Sequence, residues 1–467
     1  MIKKKLIIIA IDGGTFDIIN PLINEGKLPN LKNFKNKAIL TSTIPPGTGV
    51  AWASFSTGNN PGKTNIFDFT IVDDDSWKIK FVNRKTLGSK PLWEYLSENK
   101  VRSCFVNIPI SYPPDKINGV MISGIDTPSI LSNYTYPKNL KSKLKEFNYR
   151  IEVSGLKEKS ELPGQAIDIL NSRIKTARYL LKKDFDFFIV LFRASDVVQH
   201  FAWGKKEVEI VYKKIDDFIM EVKRKNKNAD LIIMSDHGHE RVTKAFNVNS
   251  WLELNDYLKT NAKKSGILLN LGITREKIFR ILERLNLQFL VKVVPRKLGK
   301  KIPTQKIDFE EAIITNLVDF KKTRAIAKRA VKSSQIFLNK ESRGGIVKKE
   351  QEEMLKMEII TKLKSFLSKN KIRADIYTKE ELYEKTAKYA PDITLYMKEK
   401  GYDTSSYIYK SKNVWDEARE MATHAVDGII LTDMKLNLKN PKIIDLAPTI
   451  LNYFSIRNVK MDGQSLL

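Results

Sequence analysis

Six short apolar segments, five to eight residues long, recur along the chain between polar stretches. Leu6–Ile11 is continuous and rich in isoleucine, which is typical of a strand buried on both faces. The other five have the same character: Arg102–Asn107, Gly119–Ser123, Phe185–Phe192, Ala229–Ser235 and Gly428–Thr432. Helical patterns such as Pro91–Asn99 and Lys205–Lys225 separate several of them. This alternation predicts an α/β fold, with a mainly parallel sheet sandwiched by helices.

Polar residues follow three of these predicted strands. Asp12 follows the strand Leu6–Ile11, Asp196 comes shortly after the strand Phe185–Phe192, and Asp236–His237 follow the strand Ala229–Ser235. Ligands of open α/β sheets bind at the carboxyl ends of the strands. These positions are therefore the first candidates for chemistry.

The stretch from 255 to 340 has a different composition. Between Asn255 and Lys306 there are 13 Lys/Arg against three Asp/Glu, and Leu268 to Leu298 has apolar residues at helical spacing. We interpret 1–254 as the first part of a core, 255–340 as a basic, mainly helical insert or cap, and 341–467 as the second part of the core. A basic face on such an insert is typical of a solvated helix, but it would also suit an anionic substrate or an acidic membrane.

Composition narrows the class of protein. Of 467 residues, 42% are hydrophobic and 29% charged, as in folded proteins. The net charge of +27 favours anionic partners, although a lysine-rich proteome would give the same excess. Cys104 is the single cysteine, so a disulfide framework within the chain is excluded. The apolar run after the N-terminal lysines is shorter than the roughly 7–15 residues of a signal sequence, so we expect a cytoplasmic protein.

The chain has only four histidines: His200, His237, His239 and His424. Histidines and aspartates near the strand ends are candidate metal ligands, but each has an ordinary structural alternative. Asp196 and His200 could be an Asp–x3–His pair on a helix surface, Asp12 or Asp236 could cap a helix, and His424 could be a structural histidine. Together, three aspartates and three histidines could hold two divalent ions, and mixed carboxylate and imidazole ligands suit zinc or manganese. The six residues are Asp12, Asp196, His200, Asp236, His237 and His424.

Thr48 is the candidate nucleophile. It follows a Pro-Pro-Gly turn in a segment rich in hydroxyls, where a helix is predicted to begin. Backbone N–H groups and the helix dipole favour a phosphate at such a place. The common alternative is a threonine that only caps the helix.

The ordered set of motifs resembles the alkaline phosphatase superfamily, especially its type I phosphodiesterase and nucleotide pyrophosphatase branch and the prokaryotic phosphohydrolase or phosphomutase members. The motifs that carry the resemblance are AIDGG, PPGTGVAWASFSTGNNPG, SDVVQH, SDHGH and THAVDG. Further matches are NLVDFKKTRAIA, RGGIV, APDITLY and the C-terminal IIDLAPTILNYF and MDGQSLL. The resemblance covers nearly the whole chain and implies an alkaline phosphatase-like core with an inserted helical cap.

The resemblance also implies a ligand set and a mechanism. One metal ion is expected at Asp12, Asp236, His237 and the Thr48 oxygen, and the other at Asp196, His200 and His424. Thr48 would attack a phosphate ester and form a phospho-threonine intermediate. A phosphomutase would use the same site. The substrate is expected to be a small-molecule or lipid-linked phosphate ester.

Two departures from the family pattern bear on the substrate. Phe69 stands where nucleotide pyrophosphatases have an asparagine that steadies the phosphoryl group, and Thr64–Asn65 replaces a frequent His-Gly. Both put nucleotide pyrophosphatase activity in doubt. Outside enzymes, a basic protein that binds nucleic acid or acidic lipid would explain the charge. Nucleic acid is disfavoured because no zinc finger, aromatic RNA-binding signature or helix-turn-helix motif is present.

Overall fold

The computed structural model describes residues 4–73, 77–153, 159–261, 317–383, 387, 389–408 and 413–467. Its strands are β1 Leu6–Ile11, β2 Asn36–Thr41, β3 Thr70–Val72, β4 Ile79–Phe81, β5 Ser103–Ile108, β6 Gly119–Ser123, β7 Thr135–Tyr136, β8 Phe187–Phe192, β9 Asp230–Met234, β10 Gly238–Asn247, β11 Ala325–Ala330, β12 Ser333–Leu338, β13 Ala374–Thr378, β14 Ile393–Met397, β15 Gly401–Ser405, β16 Trp415–Glu417, β17 Ala422–Ala425 and β18 Asp427–Thr432.

The α-helices begin at the carboxyl end of β1 and recur to the end of the chain. Their bounds are α1 Phe16–Asn24, α2 Pro29–Lys32, α3 Thr48–Thr57, α4 Pro61–Thr64, α5 Leu92–Glu98, α6 Leu140–Glu146, α7 Leu162–Leu181, α8 Ala194–Ala202, α9 Lys206–Lys225, α10 Val248–Leu254, α11 Lys349–Lys369, α12 Lys379–Tyr383 and α13 Leu446–Tyr453.

The main sheet has eight strands in the order β2-β18-β9-β1-β8-β5-β6-β7. The pairings β9–β1, β1–β8, β8–β5 and β5–β6 are all parallel. Antiparallel strands complete both edges, with β18 and β2 on one side and β7 on the other. The predicted α/β fold with a mainly parallel sheet is confirmed.

Both faces of this sheet are covered, as the continuous apolar run of β1 predicts. Ile7, Ile9 and Ile11 pack into a core with residues of α7 and α9. The alternate residues, Leu6, Ile8 and Ala10, pack into a second core with residues of α3, α5 and α13. Because the strand is buried on both sides, the polar side chains must lie beyond its end, and Asp12 does so.

A second sheet takes two of its four strands, β11 and β12, from the region expected to be a helical insert. β11, β12, β14 and β13 form a four-stranded antiparallel sheet whose core includes residues of α11. The helical prediction is therefore wrong for 325–338, where the chain makes a strand pair. The predicted helical segment 268–298 lies outside the described residues, and the insert boundaries at 255 and 340 stay a prediction. Among the described helices, none is long and apolar enough to cross a membrane.

Candidate metal centre and active site

The carboxyl ends of three adjacent parallel strands, β9, β1 and β8, bring the predicted polar residues together. Asp12 follows β1, Asp236 and His237 follow β9, and Asp196 lies in the first turn of α8, just after β8. With three histidines from other parts of the fold, these side chains form two groups. Within each group, the possible ligand atoms all lie within 4.8 Å of one another. One group is Asp12, Asp236 and His237, and the other is Asp196, His200, His239 and His424.

The two groups are neighbours. The rings of His237 and His424 stack with their centroids 3.7 Å apart, although each belongs to a different group. His424 lies on β17, which pairs with β10 directly after the Asp236–His237 turn. The geometry therefore describes one buried centre with two adjacent positions for cations.

The ordinary alternatives for Asp12, Asp236, Thr48 and the Asp196–His200 pair do not hold in the structure. Thr15, not Asp12, caps α1, and Asp236 precedes a strand rather than a helix. The N-cap of α3 is Gly47, and Thr48 is the first helical residue. The Asp196–His200 pair is largely buried, with side-chain exposures of 4% and 12%, so it is not a solvated helix-surface pair.

The histidine rings are oriented by their backbone contacts. The Nδ1–H groups of His200, His237 and His424 are placed to donate to the carbonyls of Ala422, Gly238 and Pro46, at 2.9, 3.0 and 2.7 Å. This arrangement leaves each Nε2 facing the group of donor atoms. Metal-binding histidines are commonly held in this way, by an outer hydrogen bond that fixes ring orientation and tautomer.

Unsatisfied oxygens support the same conclusion. Among the described residues, Asp196 Oδ1 and Asp236 Oδ2 are buried without a hydrogen-bond partner. Leaving buried carboxylate oxygens unpaired is costly, and a cation would satisfy them. Carboxylate and imidazole donors are the ligands that zinc and similar divalent ions take. The residues present thus fit two divalent ions.

Thr48 lies at the first of the two positions. Its hydroxyl Oγ1 is 3.1 Å from His237 Nε2 and 3.5 Å from Asp12 Oδ1. It opens the ten-residue helix α3, whose first N–H groups have no partners within the helix.

Comparison with known proteins agrees with this geometry. The family model for type I phosphodiesterase/nucleotide pyrophosphatase matches residues 6–427. The chain belongs to this family. It is therefore a hydrolase of phosphoric ester bonds, and the family is metal-dependent. No curated protein sequence gives a match.

Solved structures of similar fold extend over nearly the whole chain. Murine ectonucleotide pyrophosphatase/phosphodiesterase 5, an inactive variant in complex with AMP, has a TM-score of 0.55 and 12% identity, over 99% of this chain and 97% of its own. Phosphonoacetate hydrolase from Sinorhizobium meliloti, in complex with phosphonoformate, has a TM-score of 0.60 and 12% identity, over 97% and 95%. At this identity the likeness establishes the alkaline phosphatase-like fold.

In this phosphodiesterase-family chain, burial and neighbouring charges shift the pKa values of several side chains at the centre. Burial, reinforced by the neighbouring Asp12 carboxylate, raises the pKa of Asp236 to about 7. Burial and the positive charge of His237 lower the pKa of His424 to about 3. Burial opposes protonation of His200, but the attraction of Asp196 outweighs it and raises the pKa to about 10.

Arg193 joins the two groups. Its guanidinium contacts Asp12 Oδ2 at 2.9 Å, Asp196 Oδ2 at 2.7 Å and Glu152 at 2.5 Å. The other oxygen of each aspartate, Oδ1, faces the histidines. Arg193 therefore holds the outer oxygen of one carboxylate from each group and leaves the inner oxygen for a cation. No pattern in the sequence singles out this residue, although it lies one helical turn before Asp196.

A cavity of about 300 Å³ opens beside Thr48. Its walls are largely apolar, with Phe69, Ile125 and Phe201 among the lining residues, and Arg193 and Glu152 supply charge. The ring of Phe69 lies so close to α3 that a Cβ on Gly49 would be 3.2 Å from it. A wider groove of about 640 Å³ between Lys244 and Trp415 is lined by no histidine, so size alone does not identify the site.

Replacement of Arg193 by methionine should destabilise the metal-free protein far more than the metal-loaded protein. Breaking a buried ion pair costs about 3–5 kcal/mol, and here the three carboxylates that contact the arginine would lose their counter-charge. Bound cations would compensate for part of that loss. Thermal unfolding of wild type and variant, with chelator and with zinc, measures the difference.

Arg178 provides the matched control for this measurement. It pairs with Glu221 on the surface and is 47% exposed, so Arg178→Met should cost at most about 1 kcal/mol in either condition. An Arg193→Met effect that is the same with and without metal would show that the arginine does not serve the cation positions.

Proposed function

We propose that this chain is a two-metal phosphohydrolase that cleaves phosphate esters through a phospho-threonine intermediate on Thr48. The observation that carries the proposal is the position of the Thr48 hydroxyl. It lies within 3.5 Å of both Asp12 and His237, at the N-terminus of a buried ten-residue helix. A hydroxyl held among donor atoms in this way is placed for activation as a nucleophile.

Two sets of residues would hold the ions, which we propose to be zinc or manganese. One set is Asp12, Asp236, His237 and the Thr48 oxygen, and the other contains Asp196, His200 and His424. When bound, the ions would supply Lewis-acid chemistry that lowers the pKa of the attacking hydroxyl and offsets charge on the leaving oxygen.

The residues of the chain position the reacting groups. The N–H groups in the first turn of α3 offer donors to the phosphoryl oxygens beside Thr48. In the first half of the reaction a bond forms between Thr48 Oγ1 and phosphorus, the ester P–O bond breaks, and the alcohol leaves with a proton. Water then cleaves the threonine ester and restores the hydroxyl, which releases phosphate when the substrate is a monoester and a phosphomonoester when it is a diester.

The cavity favours a small substrate. A volume of about 300 Å³ is at the lower end of the roughly 300–1,000 Å³ common for ligand pockets. Its apolar walls offer few donors to a sugar or base, and Phe69 occupies the position where the family's nucleotide pyrophosphatases have asparagine. The similar proteins were solved with AMP and with phosphonoformate, which are small anions that contain phosphorus. Both phosphomonoesters and phosphodiesters belong in the substrate screen.

Trapping the intermediate tests this proposal directly. Protein loaded with zinc or manganese should be mixed with an activated phosphate ester, quenched in acid and digested. We expect a phosphorylated peptide with the phosphate on Thr48. Phosphate on Ser54 or Thr57 instead would overturn the assignment of the nucleophile, and chelator-treated protein serves as the unreacted control.

A further inference from the structure

His239 lies inside the second group of donor atoms, and neither the motifs nor the family resemblance gives it a role. The residue is 1% exposed. Its Nε2 is buried without a hydrogen-bond partner, although it points toward Asp196 Oδ1, which is itself unpartnered. Two buried polar atoms that face each other without hydrogen-bond partners indicate that a bound ion satisfies both.

Four of the six separations among these donor atoms match a tetrahedral metal site, and the other two lie within 4.8 Å. Asp196 Oδ1 lies 3.3, 3.5 and 3.1 Å from the Nε2 atoms of His200, His239 and His424. The Nε2 atoms of His200 and His424 are 3.0 Å apart. Zinc bonds of ~2.0–2.1 Å at tetrahedral angles separate neighbouring ligands by roughly 3.3 Å. The distance to His239 fits this spacing as well as the other two do.

A hydrogen bond accounts less well for the contact between His239 and Asp196. A separation of 3.5 Å is beyond the 2.7–3.2 Å typical of N–H···O bonds. On the far side of the ring, Nδ1 lies 3.3 Å from the Gly13 carbonyl. If Nδ1–H donates there, Nε2 keeps its lone pair for a cation, as in the other three histidines.

The outer contact of His239 also admits the other tautomer. Tyr212 donates to Gln199 Oε1 at 3.1 Å and so fixes the amide, whose Nε2 donates to the Gly13 carbonyl and lies 3.3 Å from His239 Nδ1. If Gln199 also donated to Nδ1, His239 would present an N–H to Asp196. The experiment must therefore separate a metal ligand from a hydrogen-bond donor.

We propose that His239 is a fourth protein ligand, so that one ion is held by three imidazoles and one carboxylate. The inference rests on the proposed two-metal function. With four protein ligands this position would hold its ion more tightly than the Asp12 position, which among the described residues has one imidazole and also uses the Thr48 oxygen. We therefore expect a chelator to remove the ion at the Asp12 position more readily than the ion at the Asp196 position. Gly13 permits the close approach, since a Cβ there would be 2.3 Å from His239 Nδ1.

X-ray absorption of the protein loaded with one equivalent of zinc tests this by counting imidazole ligands. Wild type should give three imidazoles per ion, and His239→Gln should give two. His237→Ala, which removes the only imidazole of the other position, should still give three. A wild-type count of two overturns the proposal, and this result does not depend on whether any variant folds.

Chelator competition provides the second measurement. His239→Gln keeps a side-chain N–H donor but lacks the imidazole, and it should weaken retention of the first ion about 10- to 100-fold, the scale of loss known for groups around a metal. Retention equal to wild type would show that His239 only orients Asp196 and would overturn the proposal. Neither measurement uses turnover. A count of three imidazoles in a protein whose Thr48 proves dispensable would reject the proposed function and leave the ligand in place.

Discussion

Replacement of Thr48 by alanine should abolish phosphate ester hydrolysis, with a loss of about 10³-fold or more in kcat. The reason is that the variant loses the only proposed nucleophile while the two groups of carboxylates and histidines remain. Thr48→Ser should keep part of the activity because its hydroxyl can occupy the same place beside His237 and Asp12. Steady-state kinetics with a small artificial ester, together with circular dichroism of each variant, measure this.

Thr57 provides the control for the Thr48 variants. It lies in the same helix, is equally buried, and donates its hydroxyl to the Ala53 carbonyl within that helix. Thr57→Ala therefore removes a buried threonine hydroxyl without touching the proposed site, and its kcat should stay close to wild type. Equal losses in the Thr48→Ala and Thr57→Ala proteins would mean that helix damage, and not the loss of a nucleophile, explains the result.

The parallel core could be predicted because its strands leave an unambiguous trace in the sequence. β1 was predicted with the bounds that the structure gives, and β6 likewise. A strand buried on both faces must be continuously apolar, and the first polar residue then marks its end. Asp12 and Asp236 were found in this way, from the positions where apolar runs stop.

The second sheet could not be predicted in the same way. β11 has the sequence AIAKRA, in which Lys328 is 1% exposed and pairs with Asp68, 260 positions away. A lysine buried by such a distant partner looks like a solvated residue in the sequence. The charges of β11 therefore hide the strand, whereas the helical interpretation of the insert rests on the apolar spacing of 268–298.

The sequence does not single out His239 and Arg193, for a related reason. The fold brings each of them into contact with aspartates that are distant in the sequence or give no signal there. In the sequence, Arg193 only marks the boundary between a predicted strand and the following helix. The pairing of β1 with β8 places it against Asp12. Gly238 is the first residue of β10, and an added Cβ there would be 2.1 Å from the Asp427 carbonyl oxygen. This close approach requires glycine between His237 and His239, and the sequence alone does not show it.

Removal of metal should have an effect as large as the loss of Thr48. Dialysis against a chelator is expected to eliminate turnover, and zinc or manganese should restore it. The physical reason is that bound cations would neutralise the inner carboxylate oxygens and activate the threonine hydroxyl, whereas Arg193 contacts only the outer oxygens of Asp12 and Asp196. Activity that survives complete removal of divalent ions, verified by elemental analysis, would rule out the two-metal mechanism.

Ligand variants should separate the two positions. Asp236→Asn should leave about one ion per chain, because its carboxylate belongs to the Asp12 group, and should lower kcat at least ~100-fold. His424→Ala should instead weaken the ion held near Asp196. Asp216→Asn is the matched control: Asp216 is also buried, but it accepts hydrogen bonds from Asn30 and Leu31 away from the site, so two ions should remain. If Asp236→Asn and His424→Ala both keep two ions at wild-type affinity, the ligand assignment is wrong, because each variant removes a donor atom assigned to one of the ions.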